Sequence, residues 1–156
     1  MKELFLGAMA TARASLVEAL VDLDEAALTG VAIEGDWTAK DIVGHIAAYD
    51  ESVLDAARKA HHGEAPVWGW DTAASMDAWN AAEVEKRRGL SLDQALAEFH
   101  AVRVALLAEL TSWSAEIGPF GPNTWDEHQS EIGWLASHEI DHAAAVRSLR
   151  ARTNHG

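Results

Sequence analysis

The chain has 156 residues, a formal net charge of −13 and no cysteine. So acidic a balance repels phosphate backbones and argues against nucleic acid as a partner. The lack of cysteine excludes disulfides, thiolate metal sites and a thiol nucleophile on the protein, so any metal ion falls to His, Asp or Glu.

With 49% apolar and 24% charged residues, the composition is that of a folding chain. One domain over residues 1–151 is expected, with 152–156 as a flexible tail. The opening MKELF puts Glu3 where a signal peptide needs a basic start. No run nears the ~20 apolar residues of a membrane span. A cytoplasmic protein with no membrane partner is therefore expected.

The first predicted helix runs from Lys2 to about Asp24, with Leu6, Met9, Leu16 and Leu20 at helical spacing. A looser piece, LTGVAIEGD, follows. Thr38 and Asp41 form a capping box for a second helix, whose apolar face is Ile42, Ile46, Tyr49 and Val53 and which stops near His61-His62-Gly63. EAPVWGW reads as a turn-rich linker. A shorter helix starts at Asp71 or Thr72, runs through WNAAEVEKRR and ends at Gly89. Ser91 and Gln94 cap a third long helix to about Trp113, with Phe99, Val102, Leu106 and Leu110 on its stripe. Pro119 and Pro122 keep IGPFGPN out of regular helix. Thr124 and Glu127 are placed to cap the last helix, which extends to about Arg150. No window shows sustained strand alternation. The expected fold is all-α, a four-helix bundle with a short extra helix between helices two and three.

The last helix carries HEIDH, His138 to His142, the H-E-x-x-H outline of a zinc protease. A protease also needs a third ligand downstream. Ser148 stands where the longer motif has its third His, no Asp or Glu follows His142, and only His155 remains. The two histidines are four apart, so they share one helix face and can share one ion. Leu135, His138, His142, Val146 and Leu149 form one stripe, which turns both imidazoles toward the bundle interior. Glu139 is rotated away from them and reads as a surface, rim or outer-shell residue. His45 lies beside Ile42, Ile46 and Tyr49 on the second helix. One His from that helix and an i,i+4 pair from the last make a three-His set with positions left open for water or substrate. Asp41, one turn before His45, is a candidate to orient an imidazole.

Around these, Tyr49 and Glu131 are the candidate catalytic residues. Tyr49 is one turn after His45 on the same face, and Glu131 is two turns before His138 and aligned with it. Trp134 and His128 lie near the same stripe. Trp68, Trp70 and Trp79 are candidates to wall a pocket, to cover the bundle end or to form a dimer interface, and Asn80 to cap or bridge the linker. His61 and His62 diverge on a helix, and His100 has no evident partner.

The segments GDWTAKDIVGHIAAYDE, WNAAEVEKRRGLSLDQALAEF and WLASHEIDHAAAVR resemble the DinB-like superfamily. The resemblance implies a bacterial four-helix bundle, often a homodimer. It includes damage-inducible proteins of unclear role, thiol-dependent transferases and a maleylpyruvate isomerase. WNAAEVEKRR is closer to the DfsB-like subgroup, related to a colibactin self-resistance protein that opens a cyclopropane; not all of its members rely on a metal. The family's ion is zinc or nickel, with manganese a third candidate, held by one His of the second helix and an H-x-x-x-H pair of the last. Those positions are His45, His138 and His142 here.

Three function classes follow. One is a metal-dependent enzyme acting on a small electrophilic substrate, through activated water or a low-molecular-weight thiol cosubstrate such as mycothiol or bacillithiol. The second is a protein that binds or hydrolyses a reactive metabolite without metal. The third is a structural bundle whose histidines only pack and hydrogen-bond.

Overall fold

The computed structural model describes residues 1–153 apart from Asp22, Asp71 and Glu127. Its elements in chain order are α1 (Lys2–Leu20), α2 (Glu25–Gly30), β1 (Ala32–Glu34), β2 (Trp37–Thr38), α3 (Ala39–Ala60), α4 (Ala73–Arg88), α5 (Leu92–Ser112) and α6 (Leu135–Thr153). α1 lies along α6 and α3 along α5, while α3 also meets α6 and carries α4 on its outer side. This is the all-α bundle with an extra helix that the periodicity predicts.

The capping boxes at Thr38–Asp41 and Ser91–Gln94 are both formed. Each satisfies two backbone N–H groups at the helix start that have no intrahelical acceptor. Thr72 and Ser75 make a third for α4. The alternative start at Asp71 lies outside the described residues, as do the expected cap Glu127 and the tail from Asn154 to Gly156.

Three expectations need correction. The first helix ends at Leu20 rather than Asp24, because Asp24 caps α2 by accepting from the Ala27 amide at 2.8 Å. The loose piece after it holds β1, which pairs with β2 just beyond it in an antiparallel hairpin too short to produce an alternation pattern. The last helix starts at Leu135, about ten residues later than Thr124 would place it. Thr124 cannot cap it, because its hydroxyl donates to Gly121 O at 2.8 Å and accepts from the Phe120 amide at 3.0 Å. That turn sits so close to Gly118 that a Cβ there would meet Thr124 at 2.4 Å.

The core has two apolar layers. One gathers Leu16, Ile42, Ile46, Phe99 and Val146, the other Phe5, Met9, Val53, Leu106, Leu110, Trp125, Ile132 and Leu135. On every long helix one charged residue falls between members of the two layers: Arg13 on α1, Asp50 on α3, Arg103 on α5 and Glu139 on α6. Arg13 donates from Nε to Glu139 at 2.6 Å and from Nη2 to Asp50 at 2.8 Å. Arg103 grips Asp50 with two donors, at 2.8 and 2.9 Å, and reaches Glu139 at 2.8 Å. The spare guanidinium donors bond Phe99 O and Met9 O. Two positive and two negative charges thus form a neutral, hydrogen-bonded layer across the bundle, which is how buried charge is tolerated. Among the described residues, no helix is long and apolar enough to cross a membrane.

Candidate metal centre

Two helices and the hairpin build the site. The capped start of α3 leaves His45 two turns into the helix, buried among Ile42, Ile46 and Tyr49. α6 presents His138 and His142 one turn apart. Their Nε2 atoms lie 3.1 Å from one another, and the Nε2 of His45 is 3.2 Å from that of His138. One ligand atom from each ring falls within 4.8 Å of the other two. Nitrogens held ~2.0–2.1 Å from one tetrahedral ion stand about 3.3–3.4 Å apart. The two spacings from His138 are therefore close to those of ligands around a single ion.

Hydrogen bonding alone cannot satisfy this cluster. A neutral imidazole has one N–H and one lone pair, so His138 Nε2 cannot complete a bond with both neighbours at once. The Nδ1 atoms of His45 and His138 are also buried with no hydrogen-bond partner among the described residues. Charging the rings is no escape. Burial, then the nearby His138 and His142, push His45 down to about 2, and burial with His142 beside it pushes His138 down to about 4. Both are neutral near pH 7, the state in which imidazole ligates metal. The donor set therefore fits a divalent ion.

His142 differs from the other two. Its Nδ1 lies 3.2 Å from the Glu34 carboxylate on β1. Glu34 has no sequence signal of its own, because it belongs to a three-residue strand inside the loose piece. Asp41 takes no part at the rings. Its carboxylate accepts from the Thr38 amide and hydroxyl and faces Arg88.

Glu139, the Glu of HEIDH, is fully buried on the opposite side of α6 and joined to both arginines. A zinc protease needs that Glu beside the ion as a base, so the protease reading fails on geometry. His155 lies outside the described residues.

The aromatic surroundings are dense. Tyr49 meets His45, His138, Trp70, Trp79 and Trp134 at ring-centroid distances of 4.8–5.2 Å, mostly edge to face. Its hydroxyl donates to Asn80 on α4 at 2.8 Å, and burial pushes the phenol pKa up. Trp37 covers the outer side of His45 at 4.8 Å. Glu131 is not on α6. It is exposed in the turns before that helix, where it accepts from Trp68 Nε1 at 3.0 Å. Trp68 stacks on Trp70, so Glu131 stands two aromatic rings away from Tyr49. His128 is in the same turns, and His61 pairs with Glu109 and stacks on Trp113, away from the cluster. His100 packs on the edge of Phe99.

The family model described as DinB superfamily matches residues 8–146, which include all three histidines and all four charges of the buried layer. The chain belongs to the DinB superfamily. No curated protein and no solved structure matches it. DinB membership agrees with the helical bundle.

Proposed function

We propose that this DinB-superfamily chain is a divalent-metal-dependent enzyme acting on a small electrophilic molecule. The observation that carries the reading is the convergence of three imidazole Nε2 atoms that hydrogen bonding cannot satisfy. Three imidazoles favour zinc or nickel over manganese, which prefers oxygen ligands. The bound ion would lower the pKa of a coordinated water or of a low-molecular-weight thiol and so supply a nucleophile near neutral pH.

The chain's own residues do the rest. His45, His138 and His142 hold the ion without neutralising its charge. Trp37, Trp134 and Tyr49 surround the rings and keep bulk water from them. Tyr49 holds a proton on its hydroxyl and donates it to Asn80; exchanging that acceptor for a substrate oxygen would orient the substrate. Glu131, which accepts from Trp68, would serve as an outlying hydrogen-bond acceptor. A homodimer in the cytoplasm completes the reading, on the family resemblance.

The test is to load tag-free protein with zinc or nickel and assay two reactions. One is thiol consumption with an electrophile, using mycothiol- and bacillithiol-type thiols. The other is hydrolysis of activated small esters. Turnover in either, lost in His45→Ala and on chelation, is the expected result. Turnover that survives chelation would favour the metal-independent, DfsB-like alternative. Size-exclusion chromatography with light scattering checks the dimer.

A further inference from the structure

The hairpin between α2 and α3 touches both arms of the histidine cluster. Glu34 and Trp37 are cross-strand partners in its register. Partners directly opposite on a hairpin project to the same face. Here the Glu34 carboxylate reaches His142 of α6, and the Trp37 ring lies on His45 of α3. The turn that joins them contains Gly35 at φ 58°, a left-handed conformation natural to glycine, with open space around its Cα. In the same turn, Asp36 accepts from Arg88 of α4 at 2.8 Å, and β2 runs directly into the capping box of α3. Ile33 packs into the apolar layer below. The hairpin is thus tied at its turn, at its exit and through its core residue, which fixes where Glu34 stands.

A carboxylate only accepts hydrogen bonds. The nitrogen facing Glu34 must therefore carry a proton, and in the neutral ring this leaves the opposite nitrogen, Nε2, as a lone pair aimed at His138. The rings of His45 and His138 have no such partner at Nδ1 among the described residues. We infer that Glu34 is a positioning residue that fixes His142 as the Nδ1–H tautomer and makes it the strongest donor of the three-histidine centre. Its effect on metal affinity rests on the metal reading above, but the tautomer does not. Carboxylate partners of ligating imidazoles orient the ring and raise its basicity, and losing one typically weakens metal binding about 10–100-fold.

The experiment uses the full chain as metal-free protein at pH 7.5, compared with Glu34→Ala and Glu34→Gln. Nitrogen-15 long-range correlation spectra report which ring nitrogen of His142 carries the proton, and competition with a chromophoric chelator gives zinc affinity. The wild type should show His142 protonated at Nδ1. In Glu34→Ala that tautomer should give way to Nε2–H, and zinc affinity should fall about 10–100-fold with the melting temperature of the metal-free protein unchanged. Glu34→Gln, which keeps an acceptor oxygen but not the charge, should recover part of both. His142 protonated at Nε2 in the wild type would overturn the inference, and so would a tautomer unmoved in Glu34→Ala. If the wild type bound no zinc, the metal reading would fail and the tautomer comparison alone would decide the role of Glu34.

Discussion

The bundle buries two polar clusters that share α3 and α6, and they are built on opposite terms. In the layer of Arg13, Asp50, Arg103 and Glu139 each acid meets both arginines and the spare donors end on backbone carbonyls. In the cluster of His45, His138 and His142, the His138 Nε2 stands 3.1–3.2 Å from the Nε2 of each of the other two, and two further nitrogens have no partner among the described residues. Neighbouring residues of one helix serve both clusters: Glu139 turns to the charges and His138 to the rings. A buried polar group that is satisfied holds the fold together. One that is left wanting, with others aimed at the same point, marks a place for something else to bind.

The largest expected effect falls on the satisfied cluster. Asp50→Asn or Glu139→Gln leaves an arginine charge uncompensated in the core and should destabilise the protein by about 3–5 kcal/mol in urea denaturation. A loss below about 1 kcal/mol would show that the layer is not the bundle's polar anchor.

On the histidine side the order of effects should reverse. His45→Ala or His138→Ala should lower zinc affinity by at least about 100-fold, because two imidazoles hold an ion poorly. The same substitutions should change metal-free stability by less than ~1–2 kcal/mol, since each also removes an unpartnered buried nitrogen. Calorimetric titration and thermal melts read the two quantities separately.

The next effect is pH-dependent. His45 and His138 have folded pKa values pushed to about 2 and about 4, whereas an unfolded histidine titrates near 6.5. Below about 6.5 the unfolded chain gains protons that the folded chain refuses. Metal-free stability is therefore full above pH 6.5 and falls as pH drops toward 4, by at most about 1.4 kcal/mol per unit for each ring. The double variant His45→Ala, His138→Ala should flatten the fall between pH 6.5 and 4.5. An unchanged slope would mean that these rings are not buried neutral.

The smallest effect belongs to Tyr49→Phe. It leaves the aromatic stack and removes one hydroxyl bond to Asn80, for about 1 kcal/mol of stability. If Tyr49 also orients substrate, turnover should fall by a larger factor than that loss implies, in a steady-state assay of the loaded enzyme.

Much of this was legible in the sequence because helical spacing is a strong code. The stripe through Leu135, His138, His142 and Val146, and that through Ile42, His45 and Tyr49, place three imidazoles inward before any coordinates are known. The capping boxes at Thr38 and Ser91 announce their helices in the same local way. The misses come from contacts that no local pattern encodes. Thr124 looks like a cap but is consumed by a turn against Gly118. Glu131 aligns with His138 only if the helix begins early, and it does not. Glu34 sits in a strand too short to have a period, yet reaches a residue 108 positions away. Arg13, Asp50 and Arg103 interrupt apolar stripes as Glu139 does, and four such interruptions at matching depths were the available signal for the charge layer.

The most direct measurement is metal content by inductively coupled plasma mass spectrometry on protein made without a histidine tag, alongside His45→Ala and His138→Ala. About one divalent ion per chain in the wild type, lost in both variants, is the predicted result. No ion in the wild type, even after incubation with zinc, nickel and manganese, would contradict the metal centre and leave HEIDH as part of a packed helix.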